Sequence, residues 1–472
     1  MISGKSSMAE TGDDKPQSRG PCLDGGAESD PTFGLRRLSQ QELDESCRRH
    51  TRFLNCLTGG ARANLSHCDL TYLDLTGRDL SNAELNAARL FRTRMRGAKL
   101  SCASLFATDL READLVGANL CRADLRGACL RGADLSEAQI MDADLRDGQM
   151  MKPVRGGELK KLSYDQQTTD ASLARLTSAD LSFSKISNAF IVQTDLTDTI
   201  LRNVKLMRAD LSHSNLTGAN LEGANLTETI FTGAIFRGAI LTSAILNRTK
   251  LDGADLSGAM FDFGSLANAD TSGAKVPRSL DSLDAGLGQI LAAHLIWIDT
   301  AGREGHRADF SSVDLTGHDF SGTNLAAAEF EGAILKGANL TDCVLTMARL
   351  PFADLREARL VGADLRGANL MRATLIHADL SQCRGGPIHV LGANGHLWPT
   401  SLEYARLVGA TIAGGSFPQA KLIKANFGQG KLSDLDLSGA DLRDADFTGA
   451  ILNGVKFDGA DLRGVRGLGD NP

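Results

Sequence analysis

A large apolar side chain recurs at every fifth position through most of this chain, a spacing that neither a helix nor a flat strand can sustain. The series runs from Leu65 to Met150, from Leu176 to Leu266, from Phe310 to Leu380 and from Leu402 to Leu462. All 65 centres are Leu, Phe, Ile or Met, whereas placement at the overall 42% hydrophobic content would make roughly 27 of them hydrophobic. A helix requires apolar positions at a period of 3.6 and a strand at 2. A strict period of five therefore requires a chain that turns at regular intervals. Two residues before each centre stands a small residue, usually Ala (Ala123, Ala128, Ala133, Ala219, Ala338), with Asp or Asn commonly between them. Two inward positions, two residues apart, describe a short strand. The other three residues, rich in Gly, Ser, Thr, Asp and Asn, describe a corner.

Units such as ADLRG (123–127) and ANLEG (219–223) resemble the A(D/N)LxX repeat of the pentapeptide repeat family, over about 325 of the 472 residues. The resemblance implies an all-β solenoid, a right-handed quadrilateral β-helix with four units per coil. The sequence carries its own sign of a 20-residue coil, since Phe310 and Phe330, and Phe427 and Phe447, are spaced to stack. At about 4.8 Å per coil, some 16 coils would total close to 80 Å.

The non-repeat segments divide the chain. Residues 1–38 are expected to be a disordered N-terminal tail. Residues 39–280 form a first unit with an insert at 151–170, and residues 281–472 a second with an insert at 381–400. Each unit opens with a helix, near 39–58 and 283–299. The string SQQE (39–42) is a capping box, and Leu43, Cys47, His50, Leu54 and Leu57 make an apolar stripe. Such helices are expected to cover the otherwise open edge of the first coil. The units are duplicates. His50, Phe53-Leu54 and Ala63-Asn64-Leu65 match His294, Trp297-Ile298 and Ala308-Asp309-Phe310, and the inserts begin RGGELKKL and RGGPIHVL.

Aromatic residues make up only 5% of the chain, so Ala and Leu must fill the interior. The net charge of −7, from 58 acidic and 51 basic residues, speaks against a strongly basic nucleic-acid binder. Nine cysteines form no CxxC pair, so neither a zinc site nor a disulfide framework is expected, and a reducing, cytoplasmic setting is inferred. No run of 18 apolar residues occurs. Carboxylates sit at corner positions, where Asp and Asn serve turns. No catalytic group, cofactor, metal, small-molecule substrate or membrane partner is therefore expected. His50 and His294 read as structural groups on the two helices, and Arg62 and Arg307 as partners for helix C-terminal carbonyls. Cys68 and Cys343 take the inward small-residue slot.

The remaining candidates are for interaction. The inserts hold Arg155, Gly156, Gly157, Arg384, Gly385, Gly386, His389, His396 and Trp398, and loops on rigid scaffolds often carry binding residues. Arg89, Arg92, Arg94, Arg96 and Lys99 form a candidate basic patch. The reading is a non-enzymatic scaffold that presents a long surface to another protein. As an alternative, the resemblance implies a DNA mimic that binds or protects a type II topoisomerase (DNA gyrase) through uncancelled carboxylates. An end-on homodimer through the last coil near Leu462 is a further expectation.

Overall fold

A computed structural model describes residues 35–148, 151–153, 159–161, 168–262, 264–283, 285–389 and 397–468. The period of five becomes a coil of twenty residues. Asn64 bridges Glu84, Asp69 bridges Arg89, Asp74 bridges Arg94 and Asp79 bridges Lys99, all in parallel, so each coil lays four rungs on the one before. Glu84 shows how a rung is held: its N–H donates to the Ala63 carbonyl (3.0 Å) and its carbonyl accepts from Leu65 N–H (2.7 Å). Backbone groups are thereby satisfied by the neighbouring coils. The small residue and the centre point inward, and Ala83, Leu85, Ala98 and Leu100 are completely buried.

Two residues after the centre the backbone turns through the left-handed region, at Gly77 and Gly97 but also at Tyr72, Arg92 and Glu112. The rung side chain supports the turn. Asp69 Oδ1 accepts from Thr71 N–H (3.0 Å), and Asp74 Oδ1 from Thr76 N–H (2.9 Å). These aspartates are turn elements. The expected aromatic stacking is present, with Phe310 on Phe330 (5.2 Å between centroids) and Phe427 on Phe447 (4.8 Å, 6° between planes).

The ladder of the coil continues across both inserts. The rung after Cys129 is Asp170, 41 residues on, and the rung after Asn369 is Ser401, 32 on. Excursions of 21 and 12 residues shift the phase of the repeat by one and two, as the sequence register does. The second begins later than expected. Arg384 is still a rung, bridged to Asp364 and to Ser416, so residues 381–384 belong to the coil. Ladder pairing also resumes one unit earlier than the Ala-Arg-Leu strings suggest, at Asp170 and at Ser401.

Each stack begins with a short strand and a helix. Helix α1 spans Gln40–Leu54, with Ser39 and Glu42 forming the expected capping box. Helix α2 spans Leu287–Asp299. Before them, Arg36–Arg37 pair in parallel with Cys68–Asp69, and Arg278–Ser279 with Val313–Asp314. The first pairing corrects the expectation that residues 1–38 are all tail. Leu38 is buried, because the first coil presents a free edge that the extended segment satisfies. The second pairing places Arg278 with the second stack, slightly before the expected boundary. The two stacks have separate cores, one from Leu38 to Ala259 and one from Ala308 to Phe447.

Candidate interaction surfaces

The duplicated helices are anchored by matched histidines. Ala63 N–H donates to His50 Nδ1 (3.1 Å), and Ala308 N–H donates to His294 Nδ1 (3.1 Å). An accepting Nδ1 puts the proton of the neutral ring on Nε2, which in His50 donates to the Ser81 carbonyl (3.0 Å). In the second copy Nε2 is directed at the Ala326 carbonyl but closes no hydrogen bond of ordinary geometry. Both rings are stacked, His50 on Phe53 (5.9 Å) and His294 on Trp297 (5.7 Å). Burial pulls both imidazole pKa values down. These histidines fasten the caps to the coil. Arg62 and Arg307 do not serve helix carbonyls. They pair with Glu84 (2.9 Å) and Glu329 (2.6 Å), one coil further on.

The basic patch is neutralised. Arg92 pairs with Glu112 (2.6 Å), Arg94 with Asp74 (3.1 Å), Arg96 with Asp114 (2.6 Å), Lys99 with Asp79 (3.9 Å) and Arg89 with Asp109 (4.0 Å). The rungs bring residues 18 or 20 apart side by side. A cation on one coil therefore meets a carboxylate on the next, and that spacing was readable in the sequence. The same pairing cancels carboxylates that DNA mimicry would need to expose. Among the described residues, no group of three or more His, Cys, Asp or Glu side chains is placed to hold a metal ion. Seven described cysteines are free, and Cys129 is disulfide-bonded, a bond that the expectation of a reducing setting did not include.

The described ends of the second insert lie against their own stack. Ile388–His389 and Leu397–Trp398 pair as an antiparallel ribbon. The ribbon lies over Gly367, where an added Cβ would stand 2.7 Å from Ile388 Cγ2 and 3.4 Å from both Met347 Cγ and Trp398 Cδ1. Trp398 remains 49% exposed and Leu397 38% exposed, beside Met347, also 38% exposed. Gly385 is buried under the Phe417 ring, which leaves no room for a side chain, and Gly386 lies against Pro418. Arg384 pairs with Asp364 (3.1 Å), which also takes a bidentate contact from Arg366. The Arg-Gly-Gly string in this copy is thus a packing device at the root of the arm, and the exposed surface is Leu397 and Trp398. His389 is exposed on the ribbon. Arg155, Gly156, Gly157 and His396 lie outside the described residues.

The two stacks also meet, along a seam that sequence reasoning missed. Arg372 makes a bidentate contact with Asp198 (2.5 and 3.0 Å), and Arg237 reaches Glu331 (3.5 Å). Between these pairs the Phe352 ring lies against Gly238, 3.0 Å from where its Cβ would stand, and Gly258 abuts Phe352 and Gly332. Along the seam, 258, 238 and 218 meet 332, 352 and 372, so the stacks run antiparallel. Arg372 also lies over the Tyr404 ring (4.5 Å). Farther along, burial and nearby Arg356 pull the Arg406 guanidinium pKa down, while Glu222 and Asp198 oppose them.

The family model described as pentapeptide repeats matches residues 61–97, 98–137, 108–147, 174–212, 205–242, 239–275, 306–346, 348–384 and 431–464. Solved structures similar to the chain include Rfr23, a pentapeptide repeat protein from the cyanobacterium Cyanothece 51142, at 28% identity over 31% of this chain and 90% of that one (TM-score 0.20). HetL, a pentapeptide repeat protein involved in heterocyst differentiation regulation in Nostoc sp. strain PCC 7120, is 22% identical over 75% and 89% (TM-score 0.14). Full-length QnrB1, a plasmid-mediated fluoroquinolone resistance protein, is 15% identical over 54% and 92% (TM-score 0.13). No curated protein matches the chain significantly.

Proposed function

Because this chain belongs to the pentapeptide repeat family, we propose that it is a non-enzymatic scaffold, a pair of right-handed, four-sided β-helices that presents a rigid surface to a partner protein. The observation that carries the reading is the paired strands Ile388–His389 and Leu397–Trp398, the described part of the arm. They leave an unbroken ladder, are held down on the coil, and display Leu397, Trp398 and Met347 together. A half-exposed Trp on a rigid support is the type of anchor that dominates protein interfaces. The paired charges on the coils leave little net field for a polyanion or polycation. Affinity capture with the full chain, repeated with Trp398→Ala and Leu397→Ala together, tests it. A partner retained by wild type and lost from the variant is the expected result. Identical capture by both chains, or turnover of a small-molecule substrate by the purified protein, would overturn it.

A further inference from the structure

The two cap helices face their coils in the same way and face solvent in opposite ways. Aligned on His50 and His294, the corresponding positions of α1 are half-buried Asp44, paired with Arg78, and exposed Glu45, Arg48, Thr51, Arg52 and Asn55, a polar face. The matching positions of α2 are Gly288, Gln289, Ala292, Leu295, Ile296 and Asp299, all exposed. Leu295 is 42% and Ile296 48% exposed with both stacks in place, so the neighbouring stack does not cover them. Positions 288, 292, 295, 296 and 299 follow helical spacing and form one stripe, its first half made of residues with little or no side chain. Gly288 has open space around it.

Charge identifies what covers this stripe. The N-terminus of α2 is bare: Gly286 gives no side-chain cap and the first turn holds no acid, whereas α1 has Ser39 and Glu42 there. The one charge on α2 is Asp299, in the last turn, where the helix dipole disfavours an anion. A second α2 laid antiparallel across the stripe resolves both defects at once. Asp299 of each helix then meets the uncapped N–H groups of the other, while Gly288 and Ala292 allow the helices close together and Leu295 and Ile296 pack across the axis.

We propose that α2 is a homodimerisation helix and that two copies of this chain associate through an antiparallel, two-fold α2 pair. Two helices of 13 residues bury less than a standard interface, so the dimer forms in the micromolar range, about 1–100 µM. Sedimentation velocity of the full chain across that range tests it, beside a Leu295→Thr, Ile296→Arg variant that restores the α1 face. Wild type shows a reversible dimer, and the variant is a monomer with unchanged circular dichroism and melting temperature. Asp299→Asn weakens dimerisation roughly three- to thirty-fold, through two symmetric dipole contacts. Ala292→Cys, near the middle of the helix and so near the two-fold axis, cross-links to itself under mild oxidation beyond the wild-type level. A wild-type chain monomeric throughout this range, a double variant that still dimerises, or an Ala292→Cys chain without the added cross-link would each overturn the proposal. The second of these results would shift the contact to another surface such as the last coil.

Discussion

Replacing Gly258 with Ala should open the seam between the stacks, and Gly253 on the same coil supplies the control. Both glycines sit two residues after a centre, at φ of +66° and +63°. Alanine therefore carries the same left-handed penalty at each, about 1–2 kcal/mol. Their surroundings differ. A Cβ at Gly253 meets nothing within 4 Å, whereas one at Gly258 collides with the Phe352 carbonyl oxygen and stands 2.9 Å from Phe352 Cβ and 3.2 Å from Gly332 Cα. Those atoms belong to a coil locked by rungs on both sides, so relief comes from the second stack retreating by about 1 Å toward ordinary carbon contacts. That movement draws Phe352 off Gly238 and stretches the Arg372–Asp198 contact, whose side chains are only 16% and 30% exposed. Loosening a partly buried bidentate pair costs about 1–2 kcal/mol, and the partial loss of Phe packing about 1 more. Gly258→Ala should thus be less stable than Gly253→Ala by about 2–3 kcal/mol in urea unfolding, with a larger radius of gyration by small-angle scattering before unfolding begins. If the two variants agree within about 0.5 kcal/mol and scatter alike, the seam does not bind the stacks in solution.

The cap histidines make stability depend on pH. Their folded pKa values are lowered by burial. The unfolded chain therefore binds more protons between the folded values and about 6.5, and stability falls as pH drops below that point, by at most about 1.4 kcal/mol per unit for each histidine. Denaturant midpoints should be flat above pH 7 and decline toward pH 5, and a His50→Gln, His294→Gln chain should lose that part of the slope. Trp398→Ala should change the melting temperature little while weakening partner binding at least about tenfold, measured by titration calorimetry once the partner is in hand. Leu345→Ala, at a fully buried centre, should cost about 2–5 kcal/mol in urea unfolding, because the rungs above and below prevent collapse around the cavity.

What the sequence made legible follows from the locality of the repeat. A period of five determines which side chains are inside, so burial of Ala83, Leu85 and their equivalents could be read without knowing the coil. The cap helices were legible because SQQE and the apolar stripe are local signals, and the matched histidines because the duplication repeats them. The coil length came from the resemblance, with phenylalanines 20 apart as its check in the sequence, and it is also the length that pairs Arg92 with Glu112 and Arg94 with Asp74. Reading the charges at that spacing would have dissolved the basic patch. The strands at Arg36–Arg37 and Arg278–Ser279 gave no periodic signal, since two residues are too few to show alternation. The seam was hidden for another reason. Gly218, Gly238 and Gly258 occupy a position where many coils have Gly for the turn alone, and only the facing Phe352 and Arg372 give that column a second role.

The seam also explains why two copies of one plan can pack without assembling further. Gly258 follows the third rung of its coil, in the column that begins at Asp74, whereas Phe352 and Arg372 follow the first, in the column that begins at Asp309. Asp309 matches Asn64 in the duplicated alignment, so the seam joins two different corners of the plan and is heterologous. A heterologous contact between identical units leaves the same surfaces open at each end and propagates into filaments unless the rotation closes. Here the anchors exist in one copy only. At the positions matching Gly332, Phe352 and Arg372, the first stack has Ala87, Ala107 and Gly127, which offer neither a ring for a glycine groove nor a guanidinium for a carboxylate. The contact therefore forms once per chain and stops. The helices follow the same division: α1 keeps a charged outer face and α2 an apolar one, and an antiparallel α2 pair is isologous, so association through it ends at two chains.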